Sequence, residues 1–217
     1  MASSSAATDF ALAVSAGAAA PPAHQAELFD SEQVLPNGLV YRADFLDAAE
    51  ESSLLAAITA LPLHEAQYKG YRARRRVASY GSSYDFDADQ LQRGDPLPAA
   101  FEALRARLAG WIGVAPEDFG NALIAEYRPG TPLGWHRDVP DFERVVGVSL
   151  ASACRMRFRP YPPRAPRRAD VLTLELAPRS AYLLQGEARW RWQHSIAPTP
   201  ALRYSITLRT PAERAPR

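Results

Sequence analysis

The chain has 217 residues, 47% of them hydrophobic and 23% charged, close to the globular averages of roughly 45–50% and 25%; one domain with a sizeable core, or one domain with a tail, is expected. The formal net charge is +1, so bulk charge announces no polyanion partner. No apolar run approaches the ~18 residues of a membrane-crossing helix, and the single cysteine, Cys154, permits no intramolecular disulfide, which suits a reducing, cytoplasmic compartment.

Residues 1–27 are rich in Ala and Ser. No Lys or Arg precedes the apolar stretch from Phe10 to Ala20, and Asp9 does. This argues against a signal peptide, and the segment reads as a disordered tail. His24 lies in it. Residues 28–213 are expected to form the domain, with helices and a substrate lid over 28–120 and a β core over 121–210. Leu35-Pro36-Asn37-Gly38 reads as a turn before a short strand, Leu39 to Arg42. Asp47 with Glu50 three residues on resembles a capping box. Leu54, Ile58 and Leu61 then follow at helical spacing until Pro62 ends the helix. His64 comes just after it and reads as a surface or local capping residue. A second helix begins near Pro98, with Phe101, Leu104, Leu108 and Ile112 on one face. Between the helices, the basic stretch Tyr71 to Val77 leads into Ser79 to Phe86, rich in Tyr, Ser and Gly. That second stretch reads as a hairpin or an ordered loop with exposed aromatics.

From Asn121 onward the period changes to two. Asn121–Tyr127, Val145–Leu150, Cys154–Arg159, Val171–Leu176, Ala181–Leu184 and Leu202–Arg209 read as strands. Cys154, Met156 and Phe158 alternate with Arg155, Arg157 and Arg159. Cys154 reads as a small buried apolar residue. The expected fold is α+β but mainly β: a double-stranded β-helix, or jelly roll, with the N-terminal helices packed on one sheet.

His136 and Asp138 stand at i and i+2, on one face of a strand. His194 lies 58 residues on (194 − 136) and is the best candidate for a third ligand. Two His and one carboxylate suit Fe(II) with open positions for a bidentate cosubstrate and dioxygen. In Arg203-Tyr204-Ser205-Ile206-Thr207-Leu208-Arg209 the two arginines are six apart, so both share a face with Ser205 and Thr207. Tyr204, Ile206 and Leu208 point the other way. Two guanidinium groups on an inner barrel face are costly unless anions pair with them. A dicarboxylate such as 2-oxoglutarate would do so at each end.

The runs NALIAEYRPGTPLGWHRD, GEARWRWQHSI and RYSITLR resemble the AlkB family of Fe(II)/2-oxoglutarate dioxygenases, closely over 121–209 and loosely over 35–210. The resemblance implies that His136, Asp138 and His194 ligate Fe(II). It also implies that Arg203 holds the distal carboxylate of 2-oxoglutarate and that Arg209 acts near the keto-acid end and the ligand carboxylate. Ser205 and Tyr127 would add hydrogen bonds. Dioxygen is the second cosubstrate. The family's reaction turns 2-oxoglutarate into succinate and carbon dioxide while an N-methyl carbon is hydroxylated and leaves as formaldehyde. The implied partner is alkylated single-stranded DNA or RNA, with no membrane involved and a monomer expected. The alternatives are the same chemistry on tRNA or on a protein side chain, or a nucleic-acid-binding module without turnover. Two positions depart from the family's repair members. Ala125 stands where they carry Asn, with Asn121 four residues earlier, and Pro140 stands where they carry an acidic residue.

On the substrate side, the family's lid corresponds to Arg74–Phe86. Tyr80 and Tyr84 could offer a π-face to a base, and Arg75 and Arg76 a cation. Trp135 could line the pocket mouth. Arg155, Arg157, Arg159, Arg164, Arg167 and Arg168 form either a phosphate-tracking stripe or a solvated face. Arg189 and Trp192 read as braces for the loop carrying His194.

Overall fold

The computed structural model describes residues 35–68, 71–85, 90–163 and 170–212, with the side chains of 67, 68, 71, 72, 83–85, 90 and 91 left out. The expectations for residues 1–34, and for Arg164, Arg167 and Arg168, lie outside the described residues.

Strand β1 (Leu39–Arg42) leads into helix α1 (Ala48–Thr59). Asp47 caps α1: its carboxylate accepts from the Glu50 amide at 2.8 Å, and Glu50 accepts from the Asp47 amide at 2.8 Å. A cap of this kind contributes about 1 kcal/mol. The stretch between the helices is mostly strand: β2 (His64–Tyr68), β3 (Tyr71–Asp85) and β4 (Gln90–Arg93). The sequence pattern suggests a hairpin or loop only over 79–86. The basic residues 71–77 extend as strand because β3 pairs with β2 on one edge and with β5 on the other. Pairing outweighs the weak local preference of an arginine run. His64 is the exposed first residue of β2.

Helix α2 (Glu102–Ile112) stops at Gly113, whose φ of 69° is the left-handed cap that glycine adopts without Cβ strain. The β core follows: β5 (Asn121–Tyr127), β6 (Leu133–His136), β7 (Phe142–Leu150), β8 (Cys154–Pro160), β9 (Leu172–Leu176) and β10 (Ala181–Leu184). A short helix α3 (Gly186–Trp190), β11 (Trp192–Ile196) and β12 (Arg203–Pro211) complete it.

The strands form two antiparallel sheets. The larger runs β1-β10-β7-β12-β5-β3-β2, with β4 on β3, and the smaller runs β6-β11-β8-β9. This is the jelly-roll architecture. Tyr204, Ile206 and Leu208 of β12 pack with Ile124, Val146 and Val148 and with Leu54, Ile58, Leu104 and Leu108 of the two helices. The helices therefore cover the outer face of the larger sheet. Between the sheets, Cys154, Met156, Phe158 and Ile196 meet Val145, Tyr182 and Leu184. Each such fully buried side chain is worth roughly 2 kcal/mol of burial. Strand alternation leaves the remaining inner positions of β12 — Arg203, Ser205, Thr207 and Arg209 — facing the space between the sheets.

Candidate active site

His136 ends β6 and His194 is central in β11, and the two are paired in register. Their rings lie 4.2 Å apart, centroid to centroid. Asp138 follows β6 by two residues, and its Oδ2 lies 3.6 Å from His194 Nε2. One ligand atom from each of the three falls within 4.8 Å of the others. The His136 Nδ1 is 2.9 Å from the Gly134 carbonyl. That contact makes Nδ1 the donor and leaves Nε2 free as a ligand.

A bulge makes this possible. Between His194↔His136 and Ile196↔Leu133 the register shifts, so β6 carries one extra residue. Leu133 and His136 both face inward although they are three apart.

The charges are arranged for a cation. Burial alone would raise the Asp138 carboxyl. Arg209, then the two imidazoles and Arg189, outweigh it and hold the group well below the usual carboxylate range. Burial is also the largest influence on both histidines and lowers both; with His136 beside it, it pushes His194 down to about 3, against the pull of Asp138. At neutral pH the set is one carboxylate and two neutral imidazoles, the protonation state a divalent metal requires. Its donor chemistry fits Fe(II) with positions left open.

The β12 arginines have different surroundings. Arg209 donates through Nε to Asp138 Oδ1 at 2.7 Å and through NH1 to Asn121 Oδ1 at 2.8 Å. Asn121 stands opposite Arg209 in the β5–β12 register. Arg203 is 1% exposed. It donates through Nε to Ser149 Oγ at 2.9 Å, and its guanidinium lies 5.0 Å from the Tyr127 ring centroid. Its NH1 is buried with no hydrogen-bond partner among the described residues. Such a group costs on the order of 1–3 kcal/mol or more, which an incoming carboxylate recovers. Ser205 is buried beside it, in register with Ser149 and Ala125.

Tyr182, which the sequence did not single out, belongs to the same space. Burial pushes its hydroxyl up to about 12, while Arg203 and a hydrogen bond with Thr207 act to lower it. Its ring lies over Gly147, where a Cβ would collide with the ring and hydroxyl. Tyr182 and Gly147 are paired in register, so strand pairing carried the signal and local pattern did not.

Arg189 is the brace that the sequence suggests: its NH2 donates to the carbonyls of Val139 at 2.7 Å and Phe142 at 2.8 Å. It thereby ties α3 to the loop that follows Asp138. Trp192 is partly buried against the core between the sheets. Cys154 is buried, its thiol pushed up chiefly by burial.

The residues expected on the substrate side separate. Arg75 faces inward with Val77, its charge acts on His136, and its Nε is buried without a partner among the described residues. Arg76 points to the opposite face, where it donates to the Leu63 carbonyl at 2.8 Å and pairs with Glu126 at 3.4 Å. Tyr80 packs in the helix-side core, so neither of these meets the metal cluster. Tyr84 lies on β3, with its side chain outside the described residues. Trp135 sits on the outer face of the smaller sheet, against Arg159 and Arg157, away from the pocket mouth, because strand alternation points the neighbour of the inward-facing His136 outward.

Residues 38–209 match the model of the 2OG-Fe(II) oxygenase superfamily. The chain belongs to this superfamily, as an AlkB-family member. The superfamily uses Fe(II), 2-oxoglutarate and dioxygen, so the chain is a dioxygenase by family. It is similar to the Arabidopsis thaliana protein named "Alkylated DNA repair protein ALKBH8 homolog", 32% identical over an alignment of 190 positions that covers 78% of this chain and 53% of that protein. It is also similar to the Xenopus tropicalis protein named "tRNA (carboxymethyluridine(34)-5-O)-methyltransferase alkbh8", 28% identical over 76% of this chain and 26% of the relative. The chain thus spans about half of the plant relative and about a quarter of the frog one. The solved structure of OsALKBH1 shares the fold, with a TM-score of 0.62 over 82% of this chain and all of that one, at 14% identity.

Proposed function

We propose that this AlkB-family oxygenase oxidises alkyl groups on nucleic-acid bases. The observation that supports this most is that the His136–Asp138–His194 cluster and the buried Arg203, whose NH1 has no hydrogen-bond partner among the described residues, share one pocket neighbour, Tyr182, on which both Arg203 and Asp138 act. In this reading His136, Asp138 and His194 hold Fe(II). Arg203, Ser205, Tyr127 and Tyr182 hold the distal end of 2-oxoglutarate.

Bound iron and 2-oxoglutarate supply the oxidising equivalent from dioxygen for hydroxylating a C–H bond. The chain's own residues do the positioning. Arg209 keeps the Asp138 carboxylate ionised and oriented, and Asn121 fixes Arg209. The Gly134 carbonyl fixes the His136 tautomer. Arg75, on the substrate side, offers a cation to a phosphate or a base edge. Where the hydroxylated carbon is an N-methyl group, the product loses formaldehyde and the base is dealkylated.

A second reading keeps the chemistry but makes tRNA the substrate and hydroxylation the end point. The tRNA-directed name of the frog relative supports it, as do Ala125 and Pro140, the two departures from the repair pattern.

The test measures succinate and formaldehyde with Fe(II), ascorbate and 2-oxoglutarate, in the presence of single-stranded DNA carrying 1-methyladenine or of bulk tRNA. Equal succinate and formaldehyde with the methylated DNA establish dealkylation. Succinate stimulated by tRNA without formaldehyde establishes hydroxylation. No stimulation by either removes nucleic acid as the substrate.

A further inference from the structure

The smaller sheet turns two unlike faces to its surroundings. Its inner face carries the metal cluster and the core. On its outer face β8 presents Arg155, Arg157 and Arg159, spaced at every second residue and so about 6.6 Å apart along the strand. Arg155 is exposed, and Arg157 and Arg159 are half-buried.

Trp135 joins this row from two strands away. The sheet order is β6-β11-β8, so Trp135 and the β8 arginines, whose strands lie roughly 9.6 Å apart, meet across β11. Its ring centroid lies 4.5 Å from the Arg159 guanidinium carbon and 5.2 Å from that of Arg157. Trp135 points outward as the strand neighbour of the inward-facing His136.

The arginines are also held from β11. Arg159 Nε donates to Gln193 Oε1 at 2.8 Å, and Arg157 Nε donates to Ser195 Oγ at 3.1 Å. Both acceptors are neutral, so these bonds orient the guanidinium groups without cancelling their charge. On the other side Arg157 faces Thr173, while Glu175 stands opposite Arg155. Two cations are thus fixed before any partner arrives, which lowers the ordering cost of binding.

The row leads to the active-site rim. Strands β6 and β8 both run antiparallel to β11, so they run parallel to each other and their C-terminal ends share one edge. At that edge the Arg137 guanidinium carbon lies 3.7 Å from the ring centroid of the exposed Tyr161. Arg137 NH1 donates to the Trp190 carbonyl at 3.0 Å. In sequence Arg137 stands between His136 and Asp138.

We propose that this outer face is a docking surface for the phosphate backbone of an RNA, which it leads to the rim of the metal pocket. The proposal rests on the nucleic-acid reading above and adds to it a second binding surface, outside the pocket. The chemistry favours a polyanion with bases. Guanidinium forks match phosphate oxygens two at a time. Aromatic rings beside arginines accept unstacked bases whatever their sequence. A regular row of cations suits a regularly charged polymer better than the scattered carboxylates of a protein surface. The net charge of only +1 makes this a local feature of one face.

The test uses the full chain and fluorescein-labelled tRNA, with binding followed by anisotropy between 50 and 300 mM KCl. Arg157→Gln combined with Arg159→Gln keeps neutral hydrogen-bonding groups toward Ser195 and Gln193 and removes both charges. The expected result is a plot of log affinity against log salt that is shallower by about 1.4, at ~0.7 for each single-strand phosphate that the variant no longer neutralises. A fall of about tenfold or more in affinity at 100 mM KCl accompanies it. Unchanged affinity and slope overturn the proposal. Retention of the Fe(II)–2-oxoglutarate absorbance band shows that the fold survives. If the double variant does not fold, Arg155→Gln, exposed on the same row, must flatten the slope by about 0.7, and an unchanged slope overturns the proposal just as well. Tighter binding of single-stranded DNA of matched sequence overturns the assignment to RNA. The two readings fail separately: RNA turnover with an unchanged slope in the variants removes the docking surface alone, whereas a flattened slope without turnover on any nucleic acid removes the substrate reading alone.

Discussion

The two sheets follow the same two-residue alternation and end it differently. On the larger sheet the outward Tyr204, Ile206, Leu208, Ile124, Val146 and Val148 share one core with α1 and α2, and Arg76 and Glu126 form an ion pair on the same face. On the smaller sheet the outward positions of β8 are arginines, and those of β11 are Gln193 and Ser195. An alternating strand therefore states more than its own conformation. Outward apolar residues predict a covering layer, and outward cations predict water or a charged partner. The inner face departs from both patterns. There β12 places Arg203 and Arg209 among buried residues, an arrangement that is stable only where anions are supplied.

This contrast can be broken from the inside first. Asp138→Ala removes a ligand and leaves Arg209 facing a cluster with no carboxylate. Turnover should fall to background, and the metal-free protein should lose about 3 kcal/mol in urea unfolding. Full activity in this variant would remove Asp138 from the metal site. On the opposite face of β12, Ile206→Ala should cost a similar ~3 kcal/mol through a core cavity while leaving the apparent Michaelis constant for 2-oxoglutarate unchanged. A shifted constant would mean that the two faces of β12 are not independent.

Arg203→Met should show the reverse. The constant for 2-oxoglutarate rises about 10- to 100-fold, the loss of a charged hydrogen bond of roughly 1.5–3 kcal/mol, and the constant for nucleic acid stays put. Equal rises in both would place Arg203 outside the cosubstrate pocket. The smallest effect concerns Tyr182. Its folded pKa is raised above the unfolded value of 10.0 to about 12. Its contribution is therefore fully present below pH 10 and is lost as pH rises from there toward 12, by up to ~1.4 kcal/mol per pH unit. Chemical denaturation at pH 9 and pH 11 should show a smaller loss in Tyr182→Phe than in the parent, and equal losses would place the hydroxyl in contact with water.

The sequence determined what local pattern can carry. The apolar spacing in Leu54–Ile58 and Leu104–Leu108 marked the helices. The parity of Arg203–Arg209 marked an inner polar face, and His136, Asp138 and His194 stood out by residue type and order. These are short-range signals, because the period of a helix or a strand is written in neighbouring residues. The tertiary structure decided which distant residues meet. The extra residue in β6 that lets Leu133 share the inner face with His136, the β3 pairing that sends Arg75 inward and Arg76 outward, and the register that sets Tyr182 over Gly147 and Asn121 opposite Arg209 all depend on strand pairing. Partners 88 residues apart, such as Arg209 and Asn121, share no local periodicity. A one-residue change of register would send each of these side chains to the other face.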